Sequence, residues 1–253
     1  MARSEPLRGL GAGSYEASWL LRRPVPVKIV DAHNVYLETL AELGAVGLAL
    51  LLLVFVTPLT VLRSRRHAEP LAPSVAGAYA VYLAHALVDW DWEIPAVTLA
   101  GLFCGLALVA VRTDGTQVRL PKPLVLGVVA PLAILAVFVQ LGWSSLAAAQ
   151  ADVTAGHWQA AERKAKQAQR WQPWSSEPWT VRGDARLEAG DYPGARAAFA
   201  RATKANPGDW HGWFDLALAS SGPERKRAIA RAQRLNPLSG ETAGLASAPA
   251  VAH

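Results

Sequence analysis

The chain contains very little cysteine and carries only a small net charge. It has one cysteine, Cys104, among 253 residues, which excludes an internal disulfide and a cysteine-based metal centre. The formal net charge is only +5, and the basic residues form no stripe interleaved with aromatic side chains. Because such a stripe is the usual footprint of nucleic-acid binding, we expect no nucleic-acid partner.

Charged residues are missing altogether from four long segments of the sequence. These uncharged segments are 43–62, 71–88, 94–111 and 123–151. Each reaches the length of roughly 17–25 residues that a helix needs to cross a bilayer, and a single segment in lipid satisfies its own backbone hydrogen bonds only as a helix. The sequence therefore predicts four transmembrane helices, at about 42–62, 74–92, 94–111 and 123–143.

The loops between these predicted spans differ in the sign of their charge. Loops 63–70 and 112–122 each hold three basic residues and one acidic residue, whereas loop 89–93 holds three acidic residues and no base. Short loops rich in Lys and Arg stay in the cytoplasm. We therefore predict a multi-pass protein of the inner membrane with residues 1–41, and everything after Trp143, on the extracytoplasmic side.

The predicted outer segment 1–41 concentrates polar groups just before the first span. Residues 9–13, Gly-Leu-Gly-Ala-Gly, predict a turn that lets the backbone approach another segment closely. Asp31 is a plausible N-cap, which would place His33 and Asn34 in the first turn of a helix. The field of a helix N-terminus disfavours imidazolium and so keeps a histidine neutral and able to accept a proton.

These residues make a candidate site for an anionic substrate. A helix N-terminus attracts phosphate, and Arg22 and Arg23 could add bidentate contacts to it. We take His33 as the candidate catalytic base, and Arg22, Arg23, Lys28 and Asn34 as candidate substrate-binding residues. The residues alone leave a plainer interpretation open, in which the histidine is a surface or capping residue and the arginines contact lipid headgroups.

A second group of ionisable residues follows at the outer end of the second predicted span. His85 and Asp89 are four residues apart and would share one face of a helix. An ionisable residue inside a membrane is a functional hypothesis by default, although a structural His–Asp pair is the favoured interpretation. Asp89, Asp91 and Glu93 together are interpreted as a solvated outer loop rather than as a cation site.

The N-terminal half resembles a known family of membrane enzymes. Residues 9–15, the arginine pair, and the run DAHNVYLETLAELGAVG that begins at Asp31 and leads into a leucine-rich span look like the C-terminal part of the O-antigen ligase and O-antigen polymerase family. The stretch HALVDWDWEIP that begins at His85 resembles one that follows in that family. The resemblance covers about residues 9–110, and the His-Asn motif is its most specific part.

This resemblance implies a function. Family members are multi-spanning bacterial glycosyltransferases of the cell envelope that move a glycan from a polyprenyl diphosphate carrier to an acceptor on the outer face of the membrane. It implies that His33 is the base that activates the acceptor hydroxyl, and that Arg22 or Arg23 holds the diphosphate. It implies no metal ion and no other cofactor. Complete members have further spans before this loop, so we expect the chain to correspond to their C-terminal part.

The segment 144–237 has a different composition, rich in Ala, Arg and Trp. Gln172-Pro173, Asn206-Pro207 and Asn236-Pro237 recur at intervals of 34 and 30 residues, with alanines between them at helical spacing. This period resembles the tetratricopeptide repeat, a stacked helical hairpin, and it predicts an extracytoplasmic repeat domain that binds a protein partner. The tail 238–253 has the composition of a disordered segment.

The sequence thus predicts an all-α protein with four membrane spans and a repeat domain. The leading function is a metal-independent membrane glycan transferase of the O-antigen ligase or polymerase type. Its partners would be membrane lipids, a polyprenyl diphosphate glycan and a glycan, lipid or protein acceptor. The competing function is a non-enzymatic, membrane-anchored repeat scaffold for envelope polysaccharide assembly; a transporter is less favoured because the spans contain few polar residues.

Overall fold

The part of the chain that the structure describes consists mainly of helices. In the computed structural model the described residues are 5–63, 70–110 and 122–247, and they contain no β-strand. The all-α class predicted from the sequence is confirmed. Contacts divide the chain into two units, the first comprising residues up to Arg22 and those from Val27 to Leu120, and the second comprising Arg23–Pro26 and the rest of the chain.

In its described part the first unit contains four α-helices, the second of which follows a non-helical segment. A single 3-10 turn, Asp91–Glu93, precedes its last helix. The helices are α1 (Tyr15–Arg22), α2 (Val35–Arg63), α3 (Ala72–His85) and α4 (Pro95–Ala110).

Helix α2 is interrupted at Gly44, where the backbone takes φ 67° and ψ −167°. The interruption leaves backbone N–H and C=O groups of α2 for the N-terminal loop: Ala45 N donates to the carbonyl of Pro6 at 2.8 Å, and the carbonyl of Glu42 accepts from Gly11 N at 2.9 Å. A Cβ atom at Gly9 would overlap the Glu42 carbonyl. The prediction that the glycine-rich stretch lets backbones approach closely is therefore confirmed, and the segment it approaches is α2.

Tyrosine rings and glycines hold α3 against its neighbours. The hydroxyl of Tyr79, a fully buried residue, donates to the carbonyl of Phe55 on α2 at 2.9 Å. On α4, a Cβ at Gly101 would collide with the ring of Tyr82, and one at Gly105 would lie 3.0 Å from the ring of Tyr79. Two glycines four residues apart are a common packing surface between membrane helices because they let partners approach closely.

Two helices in the described part of the chain are long and apolar enough to cross a membrane. They cover Val35–Thr60 and Ala133–Thr154, and so overlap most of the first predicted span, 42–62, and part of the fourth, 123–143. Helix α4 matches the third, 94–111, but has only 16 residues. The predicted loops 63–70 and 112–122 lie almost entirely outside the described residues. The set of four spans remains a prediction.

The second predicted span, 74–92, is wrong as one continuous helix. Helix α3 ends at His85, and the N–H groups of Val88 and Asp89 both fold back to the His85 carbonyl, at 2.9 and 3.1 Å. With 14 residues, α3 is about 21 Å long, which is less than the hydrocarbon thickness of about 30 Å.

The second unit is a series of helices in which each packs against the next. Small residues make the contacts: Ala149, Ala165 and Ala168 are fully buried between the first two helices, and a Cβ at Gly183 would clash with the buried ring of Phe199. The helices are α5 (Lys122–Thr154), α6 (Trp158–Trp171), α7 (Glu177–Glu188), α8 (Tyr192–Ala205), α9 (Trp210–Leu218), α10 (Gly222–Leu235) and α11 (Gly240–Ser247). Helix ends coincide with the predicted Asn-Pro and Gln-Pro punctuation; membership of the tetratricopeptide class remains a prediction.

Helix α11 corrects one prediction from composition. The tail 238–253 is expected to be disordered, yet Gly240–Ser247 is helical. Ser239 supplies the cap, since its Oγ accepts from Thr242 N at 3.2 Å, and Arg225 on α10 donates to the Leu245 carbonyl at 2.9 Å. Packing against α10 stabilises a segment whose own composition is poor in large apolar residues. Residues 248–253 lie outside the described part of the chain.

Candidate functional site

The predicted His-Asn motif lies in the turn immediately before α2. Asn34, not Asp31, is the N-cap: its Oδ1 accepts from Leu37 N at 2.9 Å, and its Nδ2 donates to the Leu87 carbonyl at 2.8 Å. The Asp31 carboxylate instead accepts from His33 N at 3.0 Å, which forms a local turn. His33 therefore precedes the helix, and the prediction that it lies in the first helical turn is wrong.

His33 has an unusual backbone conformation. Its φ is +48°, the one positive φ found at a non-glycine position among the described residues. This left-handed conformation costs free energy for a side chain with a Cβ. It is held by bonds on both sides, from the Asp31 turn and the Asn34 cap, and it leaves the imidazole 58% exposed. A strained and exposed histidine at the end of an apolar helix is typical of a functional position.

Two carboxylates flank the His33 ring. Nε2 lies 3.5 Å from Asp31 Oδ1, and Nδ1 lies 4.0 Å from Asp89 Oδ1. Asp89 comes from the turn after α3, more than fifty residues along the chain. A carboxylate beside one ring nitrogen can orient the imidazole and stabilise the charge that forms when the other nitrogen takes a proton.

His85 pairs with a different residue from the one its spacing predicts. Its Nδ1 lies 2.9 Å from Asp91 Oδ2 and 3.0 Å from Asp91 Oδ1, so the predicted pair with Asp89 is wrong. The reason is that α3 ends at His85, and Asp89 is therefore not one helical turn further along the same face. Asp89 therefore lies beside His33, and the contact between His85 and Asp91 joins the end of α3 to the 3-10 turn.

The surroundings of His33 are acidic. Desolvation, with repulsion from Asp31 and Glu42, raises the pKa of Glu93, and His33 acts in the opposite direction. A negative field of this kind stabilises a positive charge that develops on a base and opposes the approach of an anion. A diphosphate at this site would therefore depend on the basic residues of the loop.

The predicted basic residues have different environments. Lys28 Nζ lies 2.9 Å from Glu16 Oε1, an ion pair that ties the loop to α1. Arg23 belongs to the second unit, where it is 8% exposed and its Nη2 donates to Asn236 Oδ1 at 2.7 Å. Arg22 is exposed at the end of α1, and it makes no hydrogen bond or ion pair with another described residue. Neither Arg22 nor Lys28 is joined to His33 by such a contact within the described ranges.

Two glutamates that the sequence interpretation passed over support the loop. Glu38 is 9% exposed and accepts from Ala32 N at 2.8 Å. Glu42 accepts from Gly13 N at 2.8 Å and from Tyr15 N at 2.9 Å, and so caps α1. Their four-residue spacing, which puts both on one face of a helix just before an uncharged run, is the signal that could have identified them.

Comparison with known proteins adds no relative. No protein-family profile, no curated protein and no solved structure matches the chain. The resemblance to the O-antigen ligase and polymerase family therefore depends on the motif residues alone.

Proposed function

We propose that the chain is part of a membrane glycan transferase of the O-antigen ligase or polymerase type, with His33 as the base. The observation that carries the proposal is the geometry of His33: an exposed imidazole, held in a strained turn at the polar end of a long apolar helix, between the carboxylates of Asp31 and Asp89. Strain at a functional position persists when the surrounding structure fixes it, and here the Asn34 cap fixes it.

The proposed reaction transfers a glycan from a polyprenyl diphosphate to an acceptor hydroxyl. The hydroxyl gives its proton to one nitrogen of the His33 ring as its oxygen bonds to the anomeric carbon. The bond between that carbon and the diphosphate oxygen breaks, and the diphosphate leaves with the electron pair. Asp89 or Asp31 stabilises the imidazolium, and Arg22 is the cation that stabilises the leaving group, so no metal ion is invoked.

The site residues then divide by role. His33 reacts with the acceptor and Arg22 binds the diphosphate, because its guanidinium is open. Asn34 is a positioning residue, since both ends of its amide are hydrogen-bonded within the protein. Lys28 and Arg23 are engaged with Glu16 and Asn236, and we assign them to holding the loop.

Location follows from the charge of the loops. We propose that α2, α3, α4 and the first part of α5 lie in the inner membrane, with α3 and α4 shorter than ordinary spans. The loop before α2 then faces the extracytoplasmic side, where lipid-linked glycans are polymerised and transferred in the family that the motif resembles. The apolar length of α2 supports this placement.

The test replaces the base without removing its bulk. His33→Gln in membranes that carry the longest native form of the gene product should lower transfer of a sugar-labelled polyprenyl diphosphate glycan by about a hundredfold or more. His157→Gln is the matched control, because His157 is also an exposed histidine near a carboxylate, with Nδ1 3.8 Å from Asp152 Oδ1. Unchanged transfer by the His33 variant at normal membrane abundance would refute the proposal.

The second candidate function is a membrane-anchored scaffold. It is favoured by the second unit, whose stacked helical hairpins carry exposed aromatic side chains such as Trp174, 65% exposed. A scaffold would require the repeats but not His33. Normal glycan assembly with His33→Gln, together with loss of assembly on removal of residues 155–253, would select it.

A further inference from the structure

Helix α5 changes character about halfway along its length. Every described side chain from Pro123 to Phe138 is exposed, and nearly all are apolar and lie on all sides of the helix. From Val139 onward, burial recurs on one face, at Gly142, Leu146 and Ala149. A helix that is apolar all round requires an apolar surrounding, whereas the second half is an ordinary amphipathic helix packed on protein.

Helix α6 lies antiparallel to the second half of α5 and ends at this change. The ring of Trp171 packs edge-on against Phe138, with centroids 5.2 Å apart, and Gln172 Nε2 donates to the Val139 carbonyl at 3.3 Å. Because α6 is rich in charged residues, it cannot lie in hydrocarbon. The hydrocarbon boundary on α5 therefore lies near Phe138, short of both the predicted end at Trp143 and the apolar stretch that extends to Thr154.

A basic groove opens at this boundary. It is lined by Phe138 and by Arg163, Lys166, Gln167, Arg170 and Trp171 of α6. The three cations follow the spacing of one helix face and are all exposed. Lys166 is paired with Glu162 at 3.0 Å, while Arg163 and Arg170 make no hydrogen bond or ion pair with any other residue of the described ranges.

We propose that this groove binds the phosphate of anionic lipid headgroups in the leaflet from which α5 emerges. Guanidinium groups hold phosphate through paired N–H donors, and aromatic rings favour the membrane interface. The apolar run of α5 continues directly into the groove, so a lipid with its tails along α5 would place its headgroup against these cations. The inference shares membrane insertion of α5 with the proposed function and is independent of glycan transfer.

The experiment uses the full chain in nanodiscs of phosphatidylcholine with a minority of phosphatidylglycerol. Native mass spectrometry of the released protein counts the two lipids that stay bound. The wild type should retain phosphatidylglycerol in preference to phosphatidylcholine. In the triple variant Arg163→Gln, Lys166→Gln, Arg170→Gln this preference should fall by about fivefold or more. The triple variant Lys226→Gln, Arg227→Gln, Arg234→Gln removes the same charge from exposed positions of α10. It should keep the preference for phosphatidylglycerol.

Each other result counts against the inference. Equal losses in the two triple variants would indicate general charge attraction, and an unchanged preference in the α6 variant would show that these cations do not bind the headgroup; either result refutes the inference. Arg163→Lys, Lys166→Arg, Arg170→Lys keeps the charge and should retain the preference, which separates lipid binding from misfolding. Flotation of the chain with lipid vesicles tests membrane insertion separately. If the chain floats but shows no preference for phosphatidylglycerol, this inference alone is refuted. If the chain does not float, the membrane placement of the proposed function is refuted as well.

Discussion

Asp215 on α9 shows how a single partly buried carboxyl affects this protein. Burial raises its pKa to about 7, with further contributions from Asp184, Asp209 and Glu241. Asp184 on α7 has a pKa raised to about 6, by burial and then by Glu188. Because both folded pKa values lie above the ordinary aspartate value of 3.8, the stability that protonation supplies is present below about pH 4 and is lost as the pH rises through 6 to 7.

Removing the charge of Asp215 should therefore stabilise the second unit at high pH only. Asp215→Asn should raise the Tm of the full chain in detergent by roughly 5 °C at pH 8 and leave it nearly unchanged at pH 4, where the native carboxyl is neutral. Thermal unfolding monitored by circular dichroism measures the Tm at both pH values. Glu177→Gln, at an exposed position of α7, is the control, and an equal gain at both pH values would contradict the explanation.

Glu162 on α6 has the opposite behaviour. Burial would raise its pKa, but hydrogen bonds from Arg186 and Lys166 outweigh burial and lower it to about 2. Its folded pKa lies below the ordinary glutamate value of 4.5, so its contribution to stability is present above about pH 4.5 and is lost as the pH falls toward 2. The ion pair of Glu162 with Arg186, 2.6 Å long, links α6 to α7.

Helix α2 is the element that organises the candidate site. Its break at Gly44 binds the N-terminal loop, its glutamates Glu38 and Glu42 hold the backbone of that loop, and its N-cap Asn34 reaches the turn after α3. Each of these contacts uses at least one backbone group. The position of His33 therefore depends on how α2 begins and on how it is broken.

A side chain at the break should disrupt this arrangement. In Gly44→Ala the new Cβ would clash with the backbone of Leu7, and φ 67° is unfavourable for alanine. We expect a loss of about 2 kcal/mol or more in unfolding free energy and faster tryptic cleavage after Arg8. Gly77→Ala is the matched control, because a Cβ at Gly77 within α3 meets nothing within 4 Å. Equal stability of the two variants would show that the loop does not depend on the break.

For the whole molecule, the proposed membrane topology makes a prediction that labelling can check. Both functional hypotheses place the His33 loop and the second unit on the extracytoplasmic side. In a Cys104→Ala background, single cysteines at His33 and Ser175 should react with an impermeant maleimide in intact cells, and one at Ser64 in the predicted cytoplasmic loop 63–70 should react only after lysis. Labelling of Ser64→Cys in intact cells, or protection of His33→Cys, would reverse the topology and remove the basis for glycan transfer outside.

Local sequence patterns determined much of this protein. Uncharged runs and alanine spacing predicted helices, and Gly9–Gly13 predicted a close backbone approach. The change in composition after Trp143 predicted a boundary there, but α5 runs through Trp143 and the main segment of the second unit begins at Pro121. The tertiary structure decided which side chains meet: Asp89 lies beside His33, Asp91 pairs with His85, and Arg23 bonds to Asn236. The physical reason is that helix formation depends on neighbours within a few residues, whereas these contacts depend on where α3 ends and on bonds, such as that from Asn34 to Leu87, that join residues distant in sequence.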